Sequence, residues 1–370
     1  MDVLQPISGI GDFFASTATV TVVFVGLLLT VAYTTFAERR VSAFIQDRVG
    51  PNRVGPFGLL QPIADGIKNF LKEETLPARS HKLFFLMGPV LAMAPAMVII
   101  AVIPFAAPLN TPWGVVDMVV ADVPIGVLYI LAISSLGVYG VTLGGWASNN
   151  KYSLLGALRA AAQMVSYEVA LGLSLVSVLM LAGNVTLTEV IWQQQELGMW
   201  FVFPLSLGFI LFLISAFAET NRLPFDMPEA ESELVAGYLT EYSAMKYAMF
   251  MIAEYSHLVT ASALMATLFF GGWDLPGMWD NAFWHEGQLI AGFDAAGAPI
   301  LASPAWWKTL LTFAGFAAKT AFFILVYIWV RWTLPRFRYD QLMNLGWKRL
   351  FPLALFNIFL TGILVAFEVI

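Results

Sequence analysis

Cysteine is absent from the 370 residues, which excludes disulfides, cysteine-ligated zinc and cysteine-ligated iron–sulfur clusters within the chain. Any such redox centre belongs to a partner. Charge is scarce as well: 12% of the residues are charged, against roughly 25% in an ordinary soluble domain, so water is not the main solvent. The three histidines, His81, His257 and His285, are scattered and form no HExxH pair, and no metal site is expected. No Gly-x-Gly-x-x-Gly opens a helix after a strand, and no Gly-Lys-Ser/Thr follows the Gly- and Pro-rich stretch of residues 46–62, so no nucleotide site is expected. Nor is a nucleic-acid partner expected. Lysine and arginine are missing from the first 36 residues. A secretory signal needs a basic leading region, so the first apolar run reads as a retained span. No internal repeat is visible, and no inverted pair of broken helices of the kind that marks many transporters.

What is present is apolar surface, spread along the whole chain: 59% hydrophobic residues and 14% aromatics, 12 of the latter being Trp. A spanning helix needs about 20 mostly apolar residues. Such runs lie near Thr17–Phe36, Leu83–Phe105, Ala121–Gly145, Met164–Ala182, Trp200–Ala218, Met245–Phe270, Leu310–Trp332 and Leu350–Phe367. The fold class predicted is therefore an all-α integral membrane protein of about eight transmembrane helices, forming a single polytopic domain over residues 1–370. Eight spans place both termini on one face. Of the 19 Lys and Arg, 17 fall in the alternate connections that include residues 38–82 and 219–244, Lys308 alone falls on the other side, and Lys319 lies inside the seventh span. Basic loops stay cytoplasmic, so both termini are expected in the periplasm or its mitochondrial equivalent.

Within the 38–82 connection, Leu59, Leu60, Ile63, Ala64, Ile67, Phe70 and Leu71 recur at helical spacing, with Asp65, Lys68, Asn69 and Lys72 on the other side. This predicts an amphipathic helix on the membrane surface. Ionisable groups inside a bilayer are tolerated mainly where they face other helices, water or a partner charge. Candidates are Glu168 near the start of the fourth span, Glu254 and His257 one turn apart in the sixth with Lys246 two turns earlier, and Lys319 in the seventh. Each is open to a bland reading as a buried structural pair or a snorkelling side chain. The 219–244 connection carries Glu219, Asp226, Glu229, Glu231, Glu233 and Glu241 on the side that is otherwise basic. Leu223-Pro-Phe and Leu234-Val-Ala-Gly-Tyr-Leu interleave the acids with apolar residues, as a segment folded back on the protein requires. Crowded carboxylates repel one another, which favours protonation of some and a relay between them.

Six segments give the chain a family likeness: Ala37-Glu-Arg-Arg, Asp47-Arg-Val-Gly-Pro-Asn-Arg-Val-Gly-Pro, Gly144-Gly-Trp-Ala-Ser-Asn-Asn-Lys-Tyr-Ser, Arg159-Ala-Ala-Ala-Gln-Met-Val-Ser-Tyr-Glu, the acidic connection from Glu219, and Arg338-Tyr-Asp-Gln-Leu. In this order, from about residue 17 to the end, they resemble the family of the quinone-site membrane subunit, the H subunit, of NADH-quinone oxidoreductase, respiratory complex I. The resemblance implies a membrane component that carries no electrons and helps to form a chamber for quinone as substrate. Flavin and iron–sulfur clusters would sit in partner subunits. Arg39, Asp65, Lys68, Arg331 and Arg336 would border the quinone, while Glu168, Glu219, Glu229, Glu231, Glu233 and Glu254 would form a proton path into the membrane arm. Implied partners are the peripheral-arm subunits at the quinone site and the small membrane-arm subunits, with lipid around them. The implied place is a bacterial inner membrane rather than a mitochondrial one. Some members of the family carry Glu in the third span near the positions of Ser135 or Gly137, which are not acidic here; no proton site is assigned to that span. Competing readings are the homologous subunit of a membrane-bound hydrogenase, a stand-alone proton-coupled transporter and a purely structural anchor. The N-terminal dozen residues and the stretch Gly277–Ser303 match no pattern and suggest contacts with neighbouring subunits.

Overall fold

The computed structural model describes residues 10–111, 114–275, 283–285, 288–293, 299–301 and 306–367. The stretch Gly277–Ser303, read as a contact region, lies for the most part outside the described residues, as does most of the N-terminal dozen. Twelve α-helices run in order among the described residues: α1 Ile10–Ile45, α2 Gln61–Leu71, α3 Lys82–Val98, α4 Gly126–Ala147, α5 Lys151–Ala182, α6 Leu187–Glu196, α7 Ser206–Glu219, α8 Glu231–Leu234, α9 Ala244–Phe269, α10 Trp306–Thr333, α11 Tyr339–Leu345 and α12 Phe351–Ala366. Among the described residues, strands are confined to short antiparallel pairings, Leu109–Thr111 with Gly114–Val116 and Phe283–His285 with Gln288–Phe293 and Pro299–Leu301. Seven helical stretches of 21 to 32 residues are long and apolar enough to cross a membrane. The chain is a multi-pass, helical membrane protein.

The fifth expected span, Trp200–Ala218, takes a different form. Its helix α7 has only 14 residues, about 21 Å at 1.5 Å per residue, short of the ~30 Å hydrocarbon layer. Non-helical backbone is tolerated at such depth only where protein surrounds it, and both ends of α7 are so enclosed. On the entry side, Val202 N donates to Phe269 O at 2.9 Å. The buried Gln194 Oε1 accepts from Phe201 N at 3.1 Å and Gly271 N at 3.0 Å, while its Nε2 donates to Thr267 O at 3.1 Å. At the exit, the acidic connection closes over the helix end.

Two further boundaries shift. The fourth span begins at Lys151 rather than Met164 because Ser153, Gly156, Ala157 and Ala160 continue its buried stripe, so Glu168 lies near the middle of α5 and not near its start. Lys151 and Arg159, expected in a loop, are on that helix. Likewise α1 continues past Phe36 to Ile45, so the 38–82 connection opens with two helical turns. The amphipathic helix is present as α2, with Ile63, Ile67, Phe70 and Leu71 exposed along its apolar side. Arg40 Nη1 orders the turns before it, donating to Pro51 O and Phe57 O at 3.0 Å each.

Helix α9 lies at the centre: 61% of its most apolar window is buried, against 17% for α1 at the rim. It packs against α3, α10 and α1, while α5 packs against α4, α7 and α12. The α3–α4 crossing is close, because glycine lets the backbones meet. A Cβ built on Gly140 would stand 2.4 Å from Ala92 N, and one on Gly88 2.9 Å from Gly144 Cα. No side chain fits there. Gly140→Val should therefore force α3 off α4; overpacking of this kind costs typically 1–3 kcal/mol and more where backbone blocks relief. Native gel electrophoresis of membranes expressing the variant should show the assembled complex reduced at least fivefold, and wild-type abundance would refute the close crossing.

Candidate functional site

The buried face of α1 runs through Leu27, Val31, Thr34, Glu38 and Ser42, spaced by three or four residues. Glu38 is thereby carried inward with 6% of its surface exposed. There it meets Arg222, which follows the end of α7 and is 3% exposed. Arg222 Nη1 is 3.0 Å from Glu38 Oε2, and its Nε is 2.6 Å from Glu254 Oε1 on α9. Tyr255 Oη donates to the same Glu38 oxygen at 2.8 Å, and its ring lies 4.2 Å from the Arg222 guanidinium. Arg331, in the last turn of α10, pairs with the other oxygen, Glu38 Oε1. Two helices, α1 and α9, thus converge on one arginine, and α10 joins them through Glu38. Removing one member of a buried ion-pair group strands the others, at a cost of roughly 3–5 kcal/mol.

The acidic connection supplies the next layer. It is folded into the protein rather than solvated: Phe225, Met227, Ala230, Leu234, Tyr238, Leu239 and Tyr242 are all buried. Gly237 makes that path possible. Its φ is +53°, and a Cβ there would fall 1.6 Å from Pro228 O. Asp226 Oδ2 pairs with Arg336 Nη2 at 2.7 Å, Glu233 Oε2 with Arg159 Nη1 at 2.6 Å, and Glu241 Oε1 accepts from Asn150 Nδ2 at 2.7 Å. The group of Glu38, Asp226, Glu229 and Glu254 therefore faces three arginines, Arg222, Arg331 and Arg336. Glu229 is the carboxyl in excess. Burial first, then the like charges of Glu254 and Asp226, push it well above its usual 4.5 in spite of Arg222 and Arg331. Asp226 is also raised, by burial, against the opposing pull of Arg336.

Below this layer lie two small cavities. The first, about 40 Å³, is lined by Glu254, Tyr238, Gly137, Glu219, Thr220 and His257 among others. The second, about 30 Å³, is lined by Glu219, Thr220, His257, Ser134 and Thr260 together with apolar side chains. Each has room for water-sized occupants beside polar groups. Ser134 is within hydrogen-bond reach of the Glu219 carboxyl, and Glu168 is near enough to act on it by charge. Gln163 Nε2 donates to Ala218 O at 2.7 Å and Asn221 Oδ1 at 3.0 Å. That level is twelve residues into α5, about 18 Å from its start, so Glu219 is set inside the bundle and not at its surface.

The residues expected from the sequence thus separate. Glu229, Glu254, Arg331 and Arg336 come together around Arg222, and Glu219 with Glu168 sits next to them. Arg39 and Asp65 form a separate exposed pair, Nη1 to Oδ2 2.6 Å, joining α1 to α2, with Lys68 exposed one turn on. Glu233 is exposed at the rim, and Glu231 opens α8 with its side chain outside the described residues. Ser135 is directed back to its own helix, its Oγ donating to Ala132 O at 2.9 Å. Lys246 and Lys319 follow their bland readings. Lys246 Nζ pairs with Glu74 Oε2 at 3.1 Å, and Lys319 Nζ donates to Phe270 O at 2.7 Å, Gly272 O at 2.9 Å and Asp274 O beyond the end of α9. Sequence reasoning misses Glu38 and Arg222, which read as loop charges; the spacing of Leu27, Val31 and Thr34 already carries Glu38 to the inner face. Among the described residues no three His, Asp or Glu are arranged to hold a metal ion.

The family model described as NADH dehydrogenase matches residues 18–362. A protein of Cytophaga hutchinsonii, named as an H subunit of NADH-quinone oxidoreductase, is 48% identical over 346 residues, covering 94% of this chain and 95% of its own length. The H subunit of Salinibacter ruber is 50% identical over 341 residues, covering 91% and 92%. A Rhodothermus marinus protein named NADH-quinone oxidoreductase subunit 8 is 48% identical over 344 residues, covering 92% and 94%. The chain belongs to this NADH dehydrogenase family, and the likeness seen in its six sequence segments is borne out.

The excess carboxyl makes a prediction with a definite sign. Because the folded-state pKa of Glu229 lies above its unfolded value of 4.5, folding favours the protonated form. The stability this gives is complete below pH 4.5 and is lost as pH rises through the raised value. Glu229→Gln mimics the protonated form and escapes that loss. Thermal melts of the purified complex followed by Trp fluorescence should agree between variant and wild type near pH 4.5 and favour the variant by a few degrees at about pH 8; a constant difference at both values would refute the assignment.

Proposed function

We propose that the chain is the quinone-site membrane subunit of a proton-translocating NADH-quinone oxidoreductase, seated in a bacterial inner membrane with both termini periplasmic. Quinone is the substrate. Flavin and iron–sulfur clusters reside in partner subunits, and this chain contributes positioning and electrostatics. The observation that carries the reading is the Arg331–Glu38–Arg222–Glu254 group, which leads from the end of α10 to cavities lined by Glu219.

Arg39, Asp65, Lys68, Arg331 and Arg336 border the quinone on the basic face, which is cytoplasmic. Two-electron reduction of a quinone places negative charge there and draws in two protons. Coulomb interactions are strong in a low-dielectric interior, so the change shifts the Arg331 and Arg336 pairings and with them the charge balance of Glu38, Asp226, Glu229 and Glu254. Glu229 and Glu231 exchange protons with that group, Glu233 stands at its mouth, and Glu254, Glu219 and Glu168 continue the path inward. Docking of peripheral-arm subunits covers the basic face, and small membrane-arm subunits and lipid flank the bundle. The 38–82 and 219–244 connections are its cytoplasmic elements.

Two experiments bear on this. Single cysteines introduced at Arg79 and at Glu196, both exposed, should react with an impermeant maleimide from the cytoplasmic and periplasmic sides respectively; reaction from one common side would overturn the orientation. Glu219→Gln keeps shape and loses the titrating group. In reconstituted vesicles normalised to assembled complex, it should lower quinone-coupled turnover and proton translocation together, by at least about tenfold. Wild-type rates for both would remove Glu219 from the path.

A further inference from the structure

His257 has no part in the carboxylate path as described, yet it occupies the one place where the path changes character. The first cavity carries Glu254 and Tyr238; the second, deeper one has only the hydroxyls of Ser134 and Thr260 besides the groups it shares. Glu219, Thr220 and His257 line both cavities. Of these, Glu219 and His257 carry side chains that can exchange a proton, and a single carboxyl at a junction must release its proton before it can accept the next. An imidazole has two ring nitrogens, one able to accept while the other donates. His257 is one helical turn from Glu254 on α9, and a Cβ built on Gly137 of α4 would be 3.5 Å from its Nε2. Absence of a side chain at Gly137 leaves the ring edge facing cavity space rather than a packed wall. A group held only for packing needs no such space.

We propose that His257 transfers protons between the two cavities, working in series with Glu219; this rests on the proton-path reading above. The Glu219 carboxyl gives its proton to one ring nitrogen, leaving a carboxylate and an imidazolium. The imidazolium then releases the proton on its other nitrogen to a water molecule in the second cavity, beside Ser134 and Thr260. The ring ends neutral in the opposite tautomer, one proton has crossed, and rotation of the ring resets it. The carboxylate is reprotonated from the Glu254 side. The groups facing this junction are Glu219 from α7, Ser134 and Gly137 from α4, Glu254 and Thr260 from α9, with Glu168 of α5 acting on Glu219 by charge.

The test uses the whole complex in vesicles, with rates normalised to NADH–ferricyanide activity of the same preparation. His257→Gln retains hydrogen bonding and loses titration. It should cut quinone-coupled turnover and proton translocation at least about tenfold while leaving the KM for quinone within about twofold, a split that general loosening of the site would not give. Wild-type rates, or a loss confined to KM, overturn the proposal. Glu219→Gln run in parallel separates the two readings: impaired Glu219→Gln with normal His257→Gln refutes only the histidine step, and two normal variants refute the path itself. If His257→Gln does not assemble, Gly137→Ala decides, since its methyl meets the ring at ordinary contact distance and the fold tolerates it. A fall of at least threefold supports the ring-rotation step, and wild-type rates overturn the proposal.

Discussion

One guanidinium holds the basic end of this protein together. Arg222 sits where α7 stops short, and its partners come from α1 and α9, through Glu38 and Glu254, which are far from it along the chain. An arginine buried this deeply is sustained only by carboxylates positioned to meet it. Glu38 and Glu254 do so, with Tyr255 covering the guanidinium face and Arg331 satisfying the second oxygen of Glu38. Arg331 ties α10 to that arrangement through Glu38, and Asp226 ties the acidic connection beside it to Arg336. The shortness of α7 is what opens the space: a full-length helix would fill the volume into which the connection folds.

Charge number then decides chemistry. Four acids around three arginines leave one carboxyl for which neutrality is the cheaper state. A site of this kind responds to small changes nearby, since a small movement of a single arginine changes which acid is best compensated. On the proposed function, this is how a charge appearing at the surface is converted into proton affinity deeper in the bundle without any large displacement of backbone.

Much of the fold is legible in the residues. Runs of about 20 apolar residues identify spans irrespective of tertiary detail, and the periodicity of residues 59–71 marks α2. Legibility fails where the physics is tertiary. Glu38 reads with Arg39 and Arg40 as loop charge because hydropathy ends at Phe36, although the helix continues and turns Glu38 away from both arginines. Met164 reads as the start of a span because Lys151 and Arg159 interrupt the apolar run, whereas small residues between them pack against the acidic connection. The carboxylates of that connection are visible as a set. Their sorting into ion-paired Asp226 and Glu233 and excess Glu229 depends on arginines far away along the chain, and no spacing within residues 219–244 contains it.

Helix α9, which carries Glu254 and His257, is fastened at both extremities. Lys246 in its first turn is tied to Glu74 of the surface connection, and the carbonyls just past its last turn, where the helix dipole is negative, are gathered by Lys319 of α10. Ties at both ends oppose sliding of the helix along its axis as a piston, more firmly at the Lys319 end, where three carbonyls are held, than at the exposed Glu74 pair. Movement of α9 is thereby favoured as twisting or side-chain rearrangement in its middle turns.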